Sequence, residues 1–152
     1  VKHILEILEG RKATGLDIRT LYIPQEVDDS SSIEFLSEIK DLPQAERGAL
    51  LSIVAQLNSD PERILSGENI SPGELRKLML ARGILDAPEI IVMDEPTNHL
   101  DLHSVEALER ALSAFPGALV LVSHDEQFLS ASCPLRLDLA PEEEHTIGQP
   151  LL

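Results

Sequence analysis

Two stretches of strand length carry unbroken apolar runs: "EIIVMD" at 89–94, with Ile90 to Met93, and "ALVLVS" at 118–123, with Ala118 to Val122. A run that does not alternate has no wet face, so each strand must be covered on both sides, as in a parallel sheet packed between helices. Between them, Val105, Leu108, Ala111 and Leu112 recur at helical spacing, and Asp101 stands where an N-cap belongs. Strand, helix, strand is a βαβ unit, which places the chain in the α/β class with a mostly parallel sheet. At 152 residues with 43% hydrophobic content the chain suffices for one domain, and its 3% aromatic share means an aliphatic core.

The remaining segments flank this unit. Ile4, Leu5, Ile7 and Leu8 predict the end of a helix that stops at Gly10. In "DIRTLYIPQ" (17–25), Ile18, Leu21, Tyr22 and Ile23 predict a strand that leaves at Pro24 and Gln25. After a polar loop, "DDSSS" at 28–32, the pattern is helical for more than fifty residues. Ser31 with Glu34 reads as a capping box and Pro43 suits a first helical turn. Leu50, Leu51, Val54 and Leu57 line one face, and Asp60 with Pro61 restarts a short helix. A short helix at 125–131, a strand near "LRLDLA" (135–140) and an acidic tail with Glu142, Glu143 and Glu144 complete the chain.

Charge narrows the partners. Lys and Arg total 12 against 27 Asp and Glu, a net charge of -15, so the surface repels phosphate backbones at long range. Arg76 with Lys77 and Arg11 with Lys12 are too sparse to form a basic patch, which argues against direct nucleic-acid binding. The single cysteine, Cys133, excludes a disulfide framework. No apolar run approaches the roughly 20 residues that span a bilayer and the N-terminus carries no secretion signal, so the expectation is a cytoplasmic protein with no membrane insertion.

Ligands of open α/β sheets collect at the carboxyl ends of the strands. Asp94 and Glu95 stand at one such end, Ser123 and His124 at another, Pro24 and Gln25 at a third. Adjacent carboxylates repel unless they have separate tasks: one can hold a divalent cation while the other polarises an attacking water. The bland alternative is a charged strand exit before a turn. Likewise "SPGE" at 71–74, with Ser71 as N-cap, Pro72 at the first position and Glu74 three residues after the cap, is either a well-capped helix or a phosphate-binding helix start. His124 alone could be a border residue.

Taken together the segments resemble ATP-binding-cassette (ABC) ATPases. "IIVMDEPTNHLD" is similar to their Walker B strand and D-loop, and "ISPGE" with "LRKLMLAR" to their signature motif and its helix. "LVSHDEQFL" resembles their switch-histidine strand and "YIPQE" their glutamine loop, in the family's order across residues 22–129. "TNHLD" and "SHDEQFL" are closest in kind to the F subfamily, soluble tandem-cassette proteins that mostly act on ribosomes. The resemblance implies a partial P-loop NTPase fold with four parts. Residues 1–29 would be a remnant ending in the glutamine loop, and 30–86 an α-helical subdomain with the signature. Residues 87–140 would form an α/β core, followed by a flexible tail at 141–152. It also implies ATP and Mg2+ as cofactors. Asp94 and Gln25 would support the metal, Glu95 would be the catalytic base, and His124 would contact the γ-phosphate. Ser71, Gly73 and Glu74 would face a nucleotide held mainly by a second cassette, and Asp101 would lie between cassettes. A ribosome would be reached through parts outside this chain.

Departures from the family are equally informative. The family's G-x-x-x-x-G-K-[ST] loop is absent: no glycine is followed by lysine, and "GRKATG" at 10–15 has the wrong order. Set against the helix after that loop, "HILEILEG" puts Val1 and Lys2 at the loop's last residues, so the expectation is a chain cut through the loop, without the first strand and inactive alone. Pro72 replaces a signature glycine and removes one backbone donor. Two other roles remain: a non-catalytic module presenting its signature helix, against which Glu95 and His124 argue, and a transporter's nucleotide-binding subunit. The missing strand would leave "ALVLV" an unpaired edge, to be closed by the C-terminal strand or by a second chain.

Overall fold

The computed structural model describes residues 4–7, 10, 18–66 and 70–135. Residues 4–7 are helical as predicted, and so is Gly10; the expected end of that helix lies outside the described residues. The named elements are β1 (Thr20–Ile23), α1 (Asp29–Asp41), α2 (Gln44–Gln56), α3 (Pro61–Ser66), α4 (Pro72–Leu85), β2 (Ile90–Asp94), α5 (Leu102–Ser113), β3 (Ala118–Val122) and α6 (Glu126–Ser132). The predicted strand near 135–140, the acidic tail, Arg11 and Lys12 lie outside the described residues, apart from Leu135.

The three strands form one sheet in the order β1-β2-β3, and both pairings are parallel. β2 is central, and Ile91, Val92 and Met93 are all buried, as a run without alternation requires. The register sets Ile23 beside Met93 and Asp94 beside Val122, so the carboxyl ends of all three strands reach one edge of the sheet. β3 borders β2 alone among the described strands, and Val122 is 37% exposed, so the predicted open edge is present in the described sheet.

One apolar cluster runs through both the helices and the sheet, joining Leu50, Val54, Leu57 and Leu78 to Ile23, Ile91, Met93, Leu108 and Phe128. α4 is the hub of this packing. Gly73, Leu75, Arg76, Lys77, Leu78, Leu80 and Ala81 are all buried, so apolar and charged residues alike are enclosed around its circumference. Its approach to β1 is close enough that a Cβ on Gly83 would lie 2.3 Å from Leu21 Cδ1. Leu51, expected on the inner face of α2, is only half-buried beside fully enclosed Leu50 and Val54.

Two helix starts differ from the sequence reading. α1 is capped by Asp28, not Ser31: the Asp28 carboxylate accepts from the Ser31 amide at 2.9 Å and the Ser31 hydroxyl at 2.6 Å. The ionised carboxylate offers separate oxygens to the Ser31 amide and hydroxyl, and its charge strengthens both bonds, so the helix begins earlier and Ser31 serves as donor. Pro43 is the N-cap of α2 instead of a residue of its first turn. Asp101 and Ser71 cap α5 and α4 as expected, and Ser71 with Glu74 completes a capping box.

The Ser30 hydroxyl also donates to Asp28 Oδ1, and this bond together with the two from Ser31 holds the Asp28 carboxyl well below the usual carboxylate range. Its stabilising effect is therefore complete above about pH 4 and is lost as pH falls toward the depressed folded value. An acid titration of the melting temperature tests this: Asp28→Ala should flatten its lower limb, whereas Ser31→Ala should leave most of that limb in place. In urea unfolding, Leu78→Ala should cost about 2–5 kcal/mol, and Ile33→Ala, at a site 70% exposed, less than about 0.5 kcal/mol.

Candidate functional site

The site begins where β2 ends. Glu95 follows Asp94 with a φ of 46°, in the left-handed region that a side chain bearing a Cβ rarely adopts. Such a conformation costs on the order of 1–3 kcal/mol and persists only when its surroundings over-determine it. Here they do: the Glu95 amide donates to Val122 O at 2.7 Å, extending the β2–β3 ladder by one step. The Glu95 carbonyl accepts from Arg76 Nη1 at 2.9 Å and from the Asn98 amide at 3.2 Å. Arg76 Nη2 donates to the Asn98 carbonyl as well, so one guanidinium spans the turn that follows the strand.

The consequence is where the Glu95 side chain goes. Its carboxylate lies across the gap between β2 and β3, accepting from Ser123 Oγ and from the His124 amide, each at 3.4 Å. The second oxygen is 3.4 Å from His124 Nε2. The two partners are unlike in setting: the Glu95 side chain is 13% exposed, the His124 imidazole 99%. A shielded carboxylate thus faces an imidazole that is free to meet a ligand. Ser123 Oγ accepts in turn from the Asp125 amide at 3.1 Å, and Asp125 caps α6, which fixes the stretch carrying His124.

Asp94 is half-buried, and among the described residues no hydrogen bond engages its carboxylate. Its charge is felt by the Tyr22 phenol on β1, which is pushed above its ordinary value first by burial and then by Asp94. Gln25, beyond the end of β1, lines a cavity of about 360 Å³ with Pro72, Arg76 and His99. Ser71, Gly73, Glu74 and Asp101 line a second cavity of about 290 Å³ with Arg63, Lys77 and Ser104. The predicted residues therefore fall into three groups: Glu95 with His124, Gln25 beside the turn, and the α4 start with Asp101. Gly73 is what lets the last two groups meet, since a Cβ there would lie 2.8 Å from His99 O and 2.8 Å from Leu100 Cδ2.

A family model described as "ABC transporter" matches residues 6–98. The chain belongs to the ATP-binding-cassette family. Among curated relatives of this cassette, the probable ATP-binding protein YbiT of Escherichia coli O157:H7 is 36% identical over 121 residues, 76% of the chain and 22% of YbiT. The energy-dependent translational throttle protein EttA of Escherichia coli K12 is 33% identical over 117 residues, 74% of the chain and 21% of EttA. The chain thus spans about a fifth of these relatives, which are F-subfamily proteins, as the sequence resemblance implied. Solved cassettes share the fold: a dimeric post-hydrolysis ATP-binding cassette bound to ADP and Pi has a TM-score of 0.55 at 18% identity, covering 76% of this chain and 56% of that one. The RNase-L Inhibitor has a TM-score of 0.53 at 23% identity, covering 76% and 24%.

Family members use MgATP; of the residues expected to hold it, Asp94 closes β2 and Gln25 lies in a separate group beside the turn. Asp94, Glu95 and the Gln25 amide offer hard oxygens, and no cluster of three or more His, Cys, Asp or Glu side chains forms among the described residues. Mg2+ is ordinarily held by one or two carboxylates with water and phosphate oxygens completing its shell.

Arg76 and Lys77 are the residues the sequence reading missed. Taken there only as a sparse basic pair, both are buried and turned inward, Arg76 to the 95–98 turn and Lys77 to the second cavity. The available signal was two adjacent cations flanked by Leu75 and by Leu78 to Ala81 within one helix. Steric contact at Gly73 gives the test of this arrangement. In urea unfolding, Gly73→Ala should lower the stability by about 1–3 kcal/mol, whereas Gly48→Ala, with open space at its Cβ inside α2, should raise it by about 0.5–1 kcal/mol.

Proposed function

We propose that this segment supplies the base, the switch and the signature surface of an ATP hydrolase of the F type, working between two cassettes. The observation that carries the reading is the pairing of a shielded Glu95 carboxylate with the exposed His124 imidazole at the carboxyl edge of the sheet. Glu95 is fixed at both backbone and side chain, so it can accept a proton from a water held against it without first paying to order itself. His124, anchored by the Ser123–Asp125 contact and open to solvent, is the donor that meets a terminal phosphate. Bound Mg2+ would offset the charge of the triphosphate; Asp94 and Gln25 are the residues that would support it. Ser71, the Gly73 amide and Glu74 lie together at the start of α4, lining the second cavity, and we assign this helix start to the nucleotide of the opposing cassette.

In this reading the parts are those expected from the sequence: residues 1–29, the helical subdomain 30–86, the core 87–140 and the tail 141–152. The partner is a second cassette, of the same protein or another. The ribosome would be engaged by segments other than this one, consistent with a buried Arg76 and Lys77 and an acidic chain. No helix among the described residues is long and apolar enough to cross a membrane, and a cytoplasmic setting accords with the F-type relatives.

In the parent protein, Glu95→Gln should cut steady-state ATP hydrolysis by about a hundredfold or more while leaving MgATP binding within about twofold. Retention of normal turnover would remove Glu95 from the chemistry. These 152 residues contain no phosphate loop, so calorimetry on them alone should detect no micromolar affinity for MgATP; tight binding would show that other donors hold the triphosphate.

A further inference from the structure

Lys77 is 6% exposed, yet among the described residues no carboxylate comes within ion-pair distance of it. Its ammonium donates instead to three neutral oxygens: Asn58 O at 3.1 Å, Ser59 Oγ at 3.2 Å and Ser104 Oγ at 2.6 Å. The first two belong to the link between α2 and α3, and the third to the first turn of α5. A cation buried among neutral acceptors forgoes the strongest compensation for its lost hydration, which is a poor arrangement for stability alone.

The directions of the hydrogen bonds are fixed by chemistry. An ammonium only donates, so Ser104 Oγ accepts from Lys77, and it accepts also from Asn58 Nδ2 at 3.4 Å. Both hydroxyl lone pairs are then engaged, and its one proton goes to Asp101 Oδ2 at 2.7 Å. The Ser104 amide donates to Asp101 Oδ1 at 3.0 Å, so both oxygens of that carboxylate are held by Ser104. These bonds hold the Asp101 carboxyl below the usual carboxylate range, with Lys77 adding to the effect. Burial pushes the Lys77 ammonium down, opposed by Asp101 and Glu74. The result is a chain centred on Lys77, which donates on one side to the Asn58–Ser59 link and on the other to Ser104, whose own proton goes to Asp101.

We propose that Lys77 is a positioning residue that orients the Asp101 carboxylate through Ser104 according to where the Asn58–Ser59 link of the helical subdomain sits. The proposal rests on the function proposed above in one respect: Asp101 faces a second cassette, so its orientation sets whether that interface supports turnover. When the helical subdomain shifts, Lys77 carries the displacement to Asp101 directly, without passing through the sheet.

The test uses the parent protein with Lys77→Met, Ser104→Ala, the double variant and Lys77→Arg, reading ATP turnover and hydrogen exchange at the Ser104 amide. Lys77→Met and Ser104→Ala should each lower kcat about tenfold with KM held within about twofold, and the double variant should fall no lower than the worse single one. Lys77→Arg, which keeps a cationic donor, should recover part of the loss. Exchange at Ser104 should be faster in Lys77→Met. A loss of stability with unchanged kcat per folded molecule would overturn the proposal, as would effects that multiply in the double variant. Should Lys77→Met not fold, Ser104→Ala alone decides, and an unchanged kcat refutes the relay. Should the parent fail to hydrolyse ATP, the ATPase reading falls on its own; exchange at Ser104 then supports the relay if it quickens in Lys77→Met and overturns it if it does not.

Discussion

A single buried guanidinium holds together the parts of this molecule that matter. Arg76, 4% exposed, projects from α4 and donates to the carbonyls of Glu95 and Asn98, closing the turn after the central strand. That turn contains two residues in the left-handed region, Glu95 and His99, whose strain would relax without a fixed partner. Only the planar fork of an arginine reaches two carbonyls so placed. Burial lowers the affinity of Arg76 for its proton, and among the described residues Arg76 Nε has no hydrogen-bond partner. The arrangement therefore sacrifices some stability to fix the geometry of the turn, and with it the direction in which Glu95 points.

The same helix organises everything else near the turn. Its first residues form the surface capped by Ser71 and Glu74, reinforced by the 3.3 Å contact between Arg63 and Glu74. Pro72 occupies the helical position where a missing N–H is least harmful to the helix, and its fixed φ favours the helical start. What it removes is one donor from the surface we assign to an opposing nucleotide. Two turns of α4 thus carry the signature surface, the Arg76 clamp and the Lys77 relay, while Leu78, Leu80 and Ala81 seat the helix in the core. Motion of the helical part and geometry of the strand exit are coupled because the same rigid element serves both.

What could be read from the sequence followed from local periodicity and local hydrogen bonding. The runs at 89–94 and 118–123 lack a polar face and both formed parallel strands, but only β2 is enclosed on both faces; β3 is half-buried with exposed ends among the described residues, so the expected two-sided cover holds for one strand of the two. Ser71 with Glu74 and Asp101 with Ser104 are contacts three residues apart, visible as spacing before they are visible as structure. At α1 the same logic chose Ser31, because Asp28 with Ser31 and Ser31 with Glu34 have the same spacing, and the sequence does not show which of the two starts the helix. Arg76 and Lys77 escaped for a different reason: their partners lie 18 to 27 residues away, so nothing local distinguishes them from a solvated pair. The meeting of Glu95 with His124 was anticipated only as a shared strand edge; the contact itself depends on the positive φ at Glu95.

The most direct measurement is a high-resolution structure of the Arg76→Lys variant. An ammonium cannot span both carbonyls with the same fork, so the account predicts that one of them loses its partner, the 95–99 turn relaxes, and the Glu95 carboxylate moves away from Ser123 and His124. If instead the turn superimposes on the parent, with Glu95 still in the left-handed region and still facing His124, then Arg76 does not set the site and the account is wrong.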